Sequence, residues 1–256
     1  MPQQPGKPYG RFDFDLAAGV TKQLIAAFEA LSVGPLVQSM VEEIEAAHGV
    51  YQLYVGETLM YVGKADMPLP RRLEQHRWTL SGRQNLGDSS LGFKALIIHK
   101  NWAPSVHESI LIKHYRDQGM CEWNLTGLGN HDPGHNREDT VTNEDHFDMM
   151  YPIREDFVPE GIDAKQWNAH QLLRRLKKAL PFFLRYETDG NFHNGARDYN
   201  NLGVTVPRDG MTVKELLTLM VSALPVGWQA TFFPGRVILY KERKDYVHAT
   251  DTIRKT

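Results

Sequence analysis

The feature that most constrains the fold is a pair of short runs, Gly49 to Val55 and Leu59 to Lys64, rich in β-branched and aromatic residues. The polar stretch Gly56-Glu57-Thr58 separates them. Such runs on either side of a short polar turn are typical of a β-hairpin. Each run carries a tyrosine two positions from a glycine, in the triplets Gly-Val-Tyr and Tyr-Val-Gly. The rest of the chain is organised around this hairpin.

Polar side chains follow the hairpin in a defined order. Arg72 and His76 are four residues apart, so they share one face if residues 71–80 form a helix. Residues 93–98 are apolar and predict a third strand of the sheet. Glu108 follows in a predicted helix beside an apolar stripe, where a carboxylate is costly unless something pairs with it. Asn124 then leads into a glycine-rich loop.

Other patterns predict the remaining elements of the first half. The apolar spacing over Thr21–Leu31 is helical. A second helix is predicted over Val37–Ala47, with Gly49 as its C-terminal cap. The two prolines within Asp66–Pro70 indicate a loop before the helix that carries Arg72.

The fold class predicted for the whole chain is α+β, with a small sheet flanked by helices and then a second small α+β module. The predicted boundaries are a disordered tail over 1–10, a first domain over 11–140, a linker over 141–162 and the second module over 163–256. Trp167–Leu180 predicts a basic amphipathic helix, and Thr212 with Glu215 has the spacing of a capping box. The element order predicted for this module is α-β-β-α-β-β.

Composition restricts the function classes. The formal net charge of the 256 residues is −2, so a chain that binds nucleic acid must concentrate its cations locally. Cys121 is the single cysteine, which excludes an intrachain disulfide and fits a reducing cytoplasm. The N-terminal residues lack the apolar segment of a secretory signal, and no stretch is apolar enough to predict a membrane span.

The polar residues around the hairpin suit the hydrolysis of a phosphodiester. That reaction needs an activated water and stabilisation of charge on the phosphoryl oxygens. A carboxylate that holds one Mg²⁺ supplies Lewis-acid help, and a guanidinium offers a forked donor to phosphate. A phenol has a pKa of about 10 in water, so as a base it needs nearby cations. Lys64, Arg72 and His76 could supply that positive field around Tyr51.

The order of these residues resembles the GIY-YIG nuclease superfamily over residues 49–124. The resemblance implies that Tyr51 lies near the attacking water as the leading general-base candidate, with Tyr61 beside it. It implies that Arg72 contacts the scissile phosphate, that Glu108 is the ligand of Mg²⁺ (or of Mn²⁺ in its place), and that Asn124 closes the site. Whether Tyr51 or His76 is the base stays open.

Two details of this resemblance point to restriction enzymes. The first is an arginine that is followed four residues later by a histidine, Arg72 and His76. The second is the run at 123–134, which reads Trp-Asn-x-x-Gly-x-Gly-Asn-His-Asp-Pro-Gly. The chain looks similar to type II restriction endonucleases of SacII-like specificity, which are homodimers that cut the palindrome CCGCGG. That resemblance implies double-stranded DNA as substrate and a cognate DNA methyltransferase as functional partner. Residues 163–256 depart from that family, so the recognition sequence is left open.

Two other classes compete with this interpretation. One is a repair or mobile-element nuclease of the same superfamily, in which residues 163–256 would be a DNA-binding module. The other is a non-catalytic DNA-binding protein with the same fold, although the complete residue set argues against it. Candidates for DNA contact throughout the chain are Arg71, Arg77, His131, Arg174, Arg175, Lys177 and Lys178.

Overall fold

The computed structural model describes residues 16–86, 90–98, 111–128, 134, 138–140, 142–189 and 195–255. The predicted disordered tail, Glu108 and His131 lie outside these residues. The chain is α+β, as predicted, with an antiparallel sheet flanked by helices and a second small α+β region. Among the described residues, no helix combines the length and the apolar character needed to cross a membrane.

The first sheet contains four strands in the order β1-β4-β2-β3. They are β1 (Gly34–Pro35), β2 (Gly49–Val55), β3 (Thr58–Ala65) and β4 (Leu91–Ile97). The predicted hairpin is confirmed as β2 and β3, and the predicted third strand is β4. Tyr51 lies opposite Gly63 on one side and opposite Ala95 on the other.

Helices cover both faces of this sheet. They are α1 (Leu16–Glu29), α2 (Gln38–Glu42), α3 (Leu69–Ser81), α4 (residues 111–116) and α5 (Glu122–Thr126). Leu69, Leu73 and Leu80 of α3 pack with Tyr51 and Leu53 on one face. Alternate residues of β2 point the other way, because successive side chains of a strand face opposite sides, and they meet α1 and α4 in a second cluster.

Three local predictions are wrong. The second helix ends at Glu42, and Gly49 is the first residue of β2 rather than a helix cap. A Cβ on Gly49 would overlap the carbonyl oxygen of Leu96, so this glycine permits a close approach of two strands. The helix α3 begins at Leu69 because Pro70 is tolerated in a first turn, so these two residues do not belong to the predicted loop. Asn124 lies in the short helix α5, which ends at Gly127, where the predicted glycine-rich loop begins.

The segment predicted as a linker is packed rather than free. It contains the short helix α6 (Phe147–Met150). Phe147 is buried in the core of the first half, whereas Ile153 and Ile162 are buried in the core of the second half. The segment therefore contributes side chains to both cores, and the predicted domain boundaries stay a prediction.

The second half is built on a four-stranded sheet with the order β10-β8-β9-β6, in which β6 and β9 are parallel. Its elements are β5 (Gln166–Asn168), α7 (Ala169–Ala179), β6 (Phe183–Tyr186), a 3₁₀ turn (Arg197–Tyr199), β7 (Gly203–Thr205), α8 (Val213–Ala223), β8 (Gln229–Phe232), β9 (Arg236–Tyr240) and β10 (Asp251–Arg254).

The element order predicted for this half is incomplete. Trp167 belongs to β5, which pairs with β7, and α7 starts only after Asn168, whose side chain accepts hydrogen bonds from His170 N and Gln171 N. The strand β10 was not predicted either. The capping box is confirmed, because the hydroxyl of Thr212 accepts from Glu215 N while the carboxylate of Glu215 accepts from Thr212 N.

Candidate active site

The central group of the candidate site is the phenol of Tyr51, which is fully buried on β2. Its hydroxyl lies 2.7 Å from Nε2 of His76 and 3.2 Å from Nε of Arg72, which donates to it. The phenol crosses Gly63 on the neighbouring strand, and a Cβ on Gly63 would overlap the Tyr51 hydroxyl. Glycine at that position is therefore what lets the tyrosine reach the helix.

The helix α3 brings the other two groups to Tyr51. Arg72 and His76 are one turn apart, as predicted from their spacing, and both point toward the hairpin. The rings of Tyr51 and Tyr61 lie 5.3 Å and 5.5 Å from the ring of His76 and 6.1 Å from each other, between centroids. Three rings and one guanidinium thus form a single compact cluster between β2, β3 and α3.

The protonation state of His76 follows from its burial. Burial in the first place, and the nearby charge of Arg72 in the second, lower the pKa of His76 to about 3. The imidazole is neutral at physiological pH, so the expectation that His76 adds positive charge around Tyr51 is wrong. A neutral imidazole instead has one ring nitrogen that can accept a proton.

The directions of the hydrogen bonds are restricted by Arg72. A guanidinium can only donate, so the Tyr51 oxygen accepts from Arg72 Nε, and its own hydrogen can donate to His76 Nε2 in the tautomer that carries its proton on Nδ1. Burial lowers the pKa of Arg72, but the neighbouring phenols of Tyr51 and Tyr61 more than offset this effect, and the net pKa is raised. Arg72 is therefore the permanent cation of the cluster.

Lys64 and Asn124 have other surroundings. Nζ of Lys64 forms an ion pair with Asp66 at 3.0 Å, at the end of β3. The amide of Asn124 pairs with the backbone of Val62 twice, since Oδ1 accepts from Val62 N at 2.9 Å and Nδ2 donates to Val62 O at 2.8 Å. Asn124 thereby satisfies the backbone N–H and C=O of Val62 on the outer edge of β3, next to Tyr61. These bonds fix the position of the second triplet.

The predicted metal ligand cannot be placed, because Glu108 is outside the described residues. Within the described residues, no group of three His, Cys, Asp or Glu side chains could hold a metal ion. Mg²⁺ keeps most of its water ligands and needs only one or two protein carboxylates, so a site based on a single glutamate is compatible with this finding.

The predicted DNA contacts fall into two groups. Arg71, Arg174, Lys177 and Lys178 are exposed, and His131 lies outside the described residues. Three of the cations contact other parts of the protein: Arg77 donates twice to Glu74 at 2.6 Å, Nε of Arg175 donates to the carbonyl of Gly161, and Lys177 lies over the rings of Phe183 and Tyr186. The basic face of α7 is thus partly free for solvent and partly used for packing.

Sequence analysis missed one buried charge close to this site. Arg83 follows the end of α3, and its side chain is fully buried against Asp148. No pattern in the sequence indicates this pair, because its partners are far apart along the chain and each is an ordinary surface residue by type.

Comparison with known families bears on the same region. Residues 55–178 match the family model described as the Eco29kI GIY-YIG domain, which represents a restriction endonuclease family. The match covers just under half of the 256 residues and includes Tyr61, Arg72, His76 and Asn124. It begins after Tyr51, continues through the predicted linker and ends in α7. Among curated proteins, none matches the chain. The match supports an endonuclease domain of the GIY-YIG superfamily.

Proposed function

From this GIY-YIG match, we propose that the chain is a site-specific endonuclease that hydrolyses phosphodiesters of double-stranded DNA, a type II restriction enzyme. The observation that carries the proposal is the hydrogen-bonded chain from Arg72 through Tyr51 to His76. It combines, in one buried cluster, a phosphate-binding cation, a hydroxyl and a neutral proton acceptor. These are the groups that phosphodiester hydrolysis requires.

In the proposed reaction, the oxygen of Tyr51 takes a proton from the attacking water while its own proton passes to Nε2 of His76. His76 is neutral at physiological pH and so has a free lone pair for this proton, but the burial and the Arg72 charge that lower its pKa to about 3 also make it a weak base. Donation from Arg72 Nε stabilises negative charge on the phenol oxygen as the transfer proceeds. Tyr51, which is fully buried in the structure, would then face the attacking water as the base in the complex with DNA, and His76 would be the acceptor behind it.

Arg72 has a second part in the proposal. A guanidinium carries five N–H donors, so Arg72 can hold the phenols and still offer donors to the scissile phosphate. Phosphoryl oxygens become more negative in the transition state, and a positioned cation in a water-poor cluster is effective there.

We assign the divalent metal to Glu108, with Mg²⁺ as the expected ion and Mn²⁺ as a substitute. When bound, the ion would supply Lewis-acid stabilisation of the phosphate and of the leaving oxygen. The described cluster consists of phenols, an imidazole and a guanidinium, so its chemistry complements a carboxylate-held cation rather than replacing it.

We further propose that the enzyme is a homodimer acting on a palindromic G/C-rich site, with CCGCGG as the first sequence to test, alongside a cognate DNA methyltransferase. One site of this kind cuts one strand. A two-fold dimer presents two such sites to a two-fold sequence, which accounts for double-strand cleavage.

The test is digestion of a plasmid of known sequence in Mg²⁺, followed by mapping of the ends. The proposal expects discrete fragments with identical ends at one palindrome. Cuts scattered over unrelated sequences would favour a repair or mobile-element nuclease. No cleavage of double-stranded DNA in either Mg²⁺ or Mn²⁺, by a folded protein that binds DNA, would favour the non-catalytic alternative.

A further inference from the structure

Arg83 is the most completely buried cation among the described residues, and it lies two positions beyond the end of α3. Its Nη1 donates to the carboxylate of Asp148 at 2.7 Å, to Tyr151 O at 3.2 Å and to Pro234 O at 3.4 Å. Its guanidinium lies 5.1 Å from the centre of the Phe147 ring. One side chain therefore connects α3, the segment around α6 and the turn between β8 and β9.

Backbone hydrogen bonds connect the same three segments, and we call this contact between the end of α3, residues 152–154 and the turn between β8 and β9 the joint. The amide of Arg154 donates to Gly82 O at 2.8 Å, and the amide of Gln84 donates to Pro152 O at 2.7 Å. The amide of Ile153 donates to Pro234 O at 2.8 Å. The C-terminal end of α3 is thus bonded to residues 152–154, and these in turn are bonded to the second sheet.

The joint has little room for adjustment. A Cβ on Gly82 would overlap the ring of Pro181, and a Cβ on Gly235 would overlap the carboxylate of Asp148. Trp78, on the last turns of α3, meets the ring of Phe157 edge to face at 5.9 Å. The second half of the chain therefore holds α3 by direct contact of backbone and rings.

An α-helix is stiff over this length, rising about 1.5 Å per residue. The same helix carries Arg72 and His76, whose bonds to Tyr51 are short and directional. A shift of the C-terminal end of α3 must therefore move or tilt these groups relative to β2. Catalytic rates fall by about 10²-fold for misplacements of about 1 Å.

We propose that Arg83 is a positioning residue: its bonds to Asp148, Tyr151 and Pro234 fix the end of α3 against the second half and thereby set the placement of Arg72 and His76 over Tyr51. The inference rests on the proposed nuclease function, and it gives residues 163–256 a part in that function. Their sheet acts as the support against which the catalytic helix is aligned.

The chemistry of the joint separates this role from simple stabilisation. Apolar residues of similar size often replace a buried ion pair without loss of stability, whereas removal of one partner alone is costly. An apolar pair would fill the space but would make no directional bond to the carbonyls of Tyr151 and Pro234. The double variant Arg83→Met with Asp148→Leu therefore tests whether the directional hydrogen bonds of Arg83 are needed in addition to a filled space.

The chain offers a matched control. Arg185 and Glu138 form a second buried ion pair at 2.8 Å, and both bond to the hydroxyl of Tyr240. Their described contacts are with β6 and β9 rather than with α3. The double variant Arg185→Met with Glu138→Leu removes a comparable buried pair while leaving the end of α3 in place.

The experiment compares the full-length wild type with both double variants. The readouts are the unfolding midpoint, the dissociation constant for DNA without divalent cation, and the single-turnover cleavage rate at saturating enzyme. For the Arg83 variant we expect DNA affinity within threefold of wild type and a cleavage rate at least about tenfold lower. We expect the single-turnover cleavage rate of the control double variant to lie within threefold of the wild-type rate. Equal rates for folded wild type and Arg83 variant would overturn the inference, as would an equal loss in the control.

Two further measurements keep the test decisive. If the double variant does not fold, Arg83→Lys retains the charge but lacks the planar guanidinium that directs Nη1 at Asp148, Tyr151 O and Pro234 O, and a loss of rate in the same direction is expected. The ¹⁵N chemical shift of His76 Nε2 reports its bond with Tyr51 without any cleavage assay. We expect this shift to change in the Arg83 variants and not in the control. An unchanged shift would refute the positioning role even if the wild type cut no DNA, in which case the nuclease proposal would fail on its own.

Discussion

The two basic helices α3 and α7 look alike in sequence and do different things in the structure. Both have a buried leucine stripe and several cations on the remaining surface. The inward face of α3 also carries His76, and Arg72 beside it bonds to a tyrosine on the sheet. The fully buried residues of α7 are all apolar, namely Ala169, Leu172, Leu173 and Leu176, and its His170 packs against the rings of Tyr186 and Tyr199. Position against a polar partner, rather than basic composition, is what gives a helix a chemical role.

The largest difference between the two helices should appear in the cleavage rate when one arginine on each helix is replaced by lysine. Arg72→Lys keeps the charge but loses the fork, so we expect single-turnover cleavage to fall by about 10²-fold or more. Arg174→Lys on the exposed face of α7 should leave that rate unchanged. Equal behaviour of the two variants would remove the distinction between the helices.

The glycine beneath Tyr51 provides the next test. Gly63→Ala places a methyl group where the Tyr51 phenol and the Tyr61 ring now lie, so the hydroxyl must move away from His76. We expect at least a tenfold loss of cleavage rate. Gly34→Ala in the same sheet is the control, because its Cβ would meet only ordinary contacts at 3.7 Å and beyond. A fully active Gly63→Ala enzyme would show that the close approach is not needed.

For α7 the expected effect is on binding and depends on salt. We propose that Arg174 and Lys178 contact the DNA backbone; Lys177 is exposed too, but it packs over the rings of Phe183 and Tyr186. Each lost phosphate contact should reduce the slope of log affinity against log salt by about 0.9, so their double alanine variant should flatten it by up to about 2. Arg175→Ala should instead weaken folding, since Arg175 donates to Gly161 O. An unchanged slope in the Arg174 and Lys178 variant would exclude this face from DNA contact.

The smallest effect concerns stability against pH. His76 has a pKa of about 3 when folded and about 6.5 when unfolded, so between these values only the unfolded chain takes up the proton. Its contribution to the free energy of unfolding is constant above pH 6.5. Below that, stability falls by up to about 1.4 kcal/mol per pH unit.

Urea unfolding at several pH values would measure this slope. His76→Phe should flatten it between pH 6 and pH 4. The pKa of His170 on α7 is also lowered, by burial and then by Arg174, but His170 is less buried, so His170→Phe should flatten the slope less. A larger effect of His170→Phe than of His76→Phe on this slope would contradict the expected order.

Local patterns in the sequence were enough to predict the hairpin, the helix α3 and the capping box of α8. Each depends on residues close together in the chain, such as Thr212 with Glu215 or Arg72 with His76. The short strand β10 was missed, because Asp251–Arg254 has no strong strand pattern and becomes a strand only by pairing with β8.

In the candidate active site too, the sequence predicts what depends on local spacing and misses what depends on distant contacts. The order of Tyr51, Arg72 and His76 predicts a shared cluster, and the structure places their polar atoms within hydrogen-bonding distance. The charge state of His76 depends on burial, which spacing does not reveal. The joint at Arg83 depends on Asp148, 65 positions away, and on a backbone carbonyl of a third segment. Contacts of that kind are decided by tertiary packing alone.

In the proposed reaction, the hydroxyl of Tyr51 moves a proton between water and His76. The most direct measurement is the single-turnover cleavage rate of Tyr51→Phe at saturating enzyme, together with its affinity for DNA. Phenylalanine keeps the ring over Gly63 and removes the hydroxyl with its bonds to Arg72 and His76. We expect a loss of about 10²- to 10⁴-fold in rate with affinity unchanged. A rate within threefold of wild type would contradict it and leave Tyr51 with a structural role.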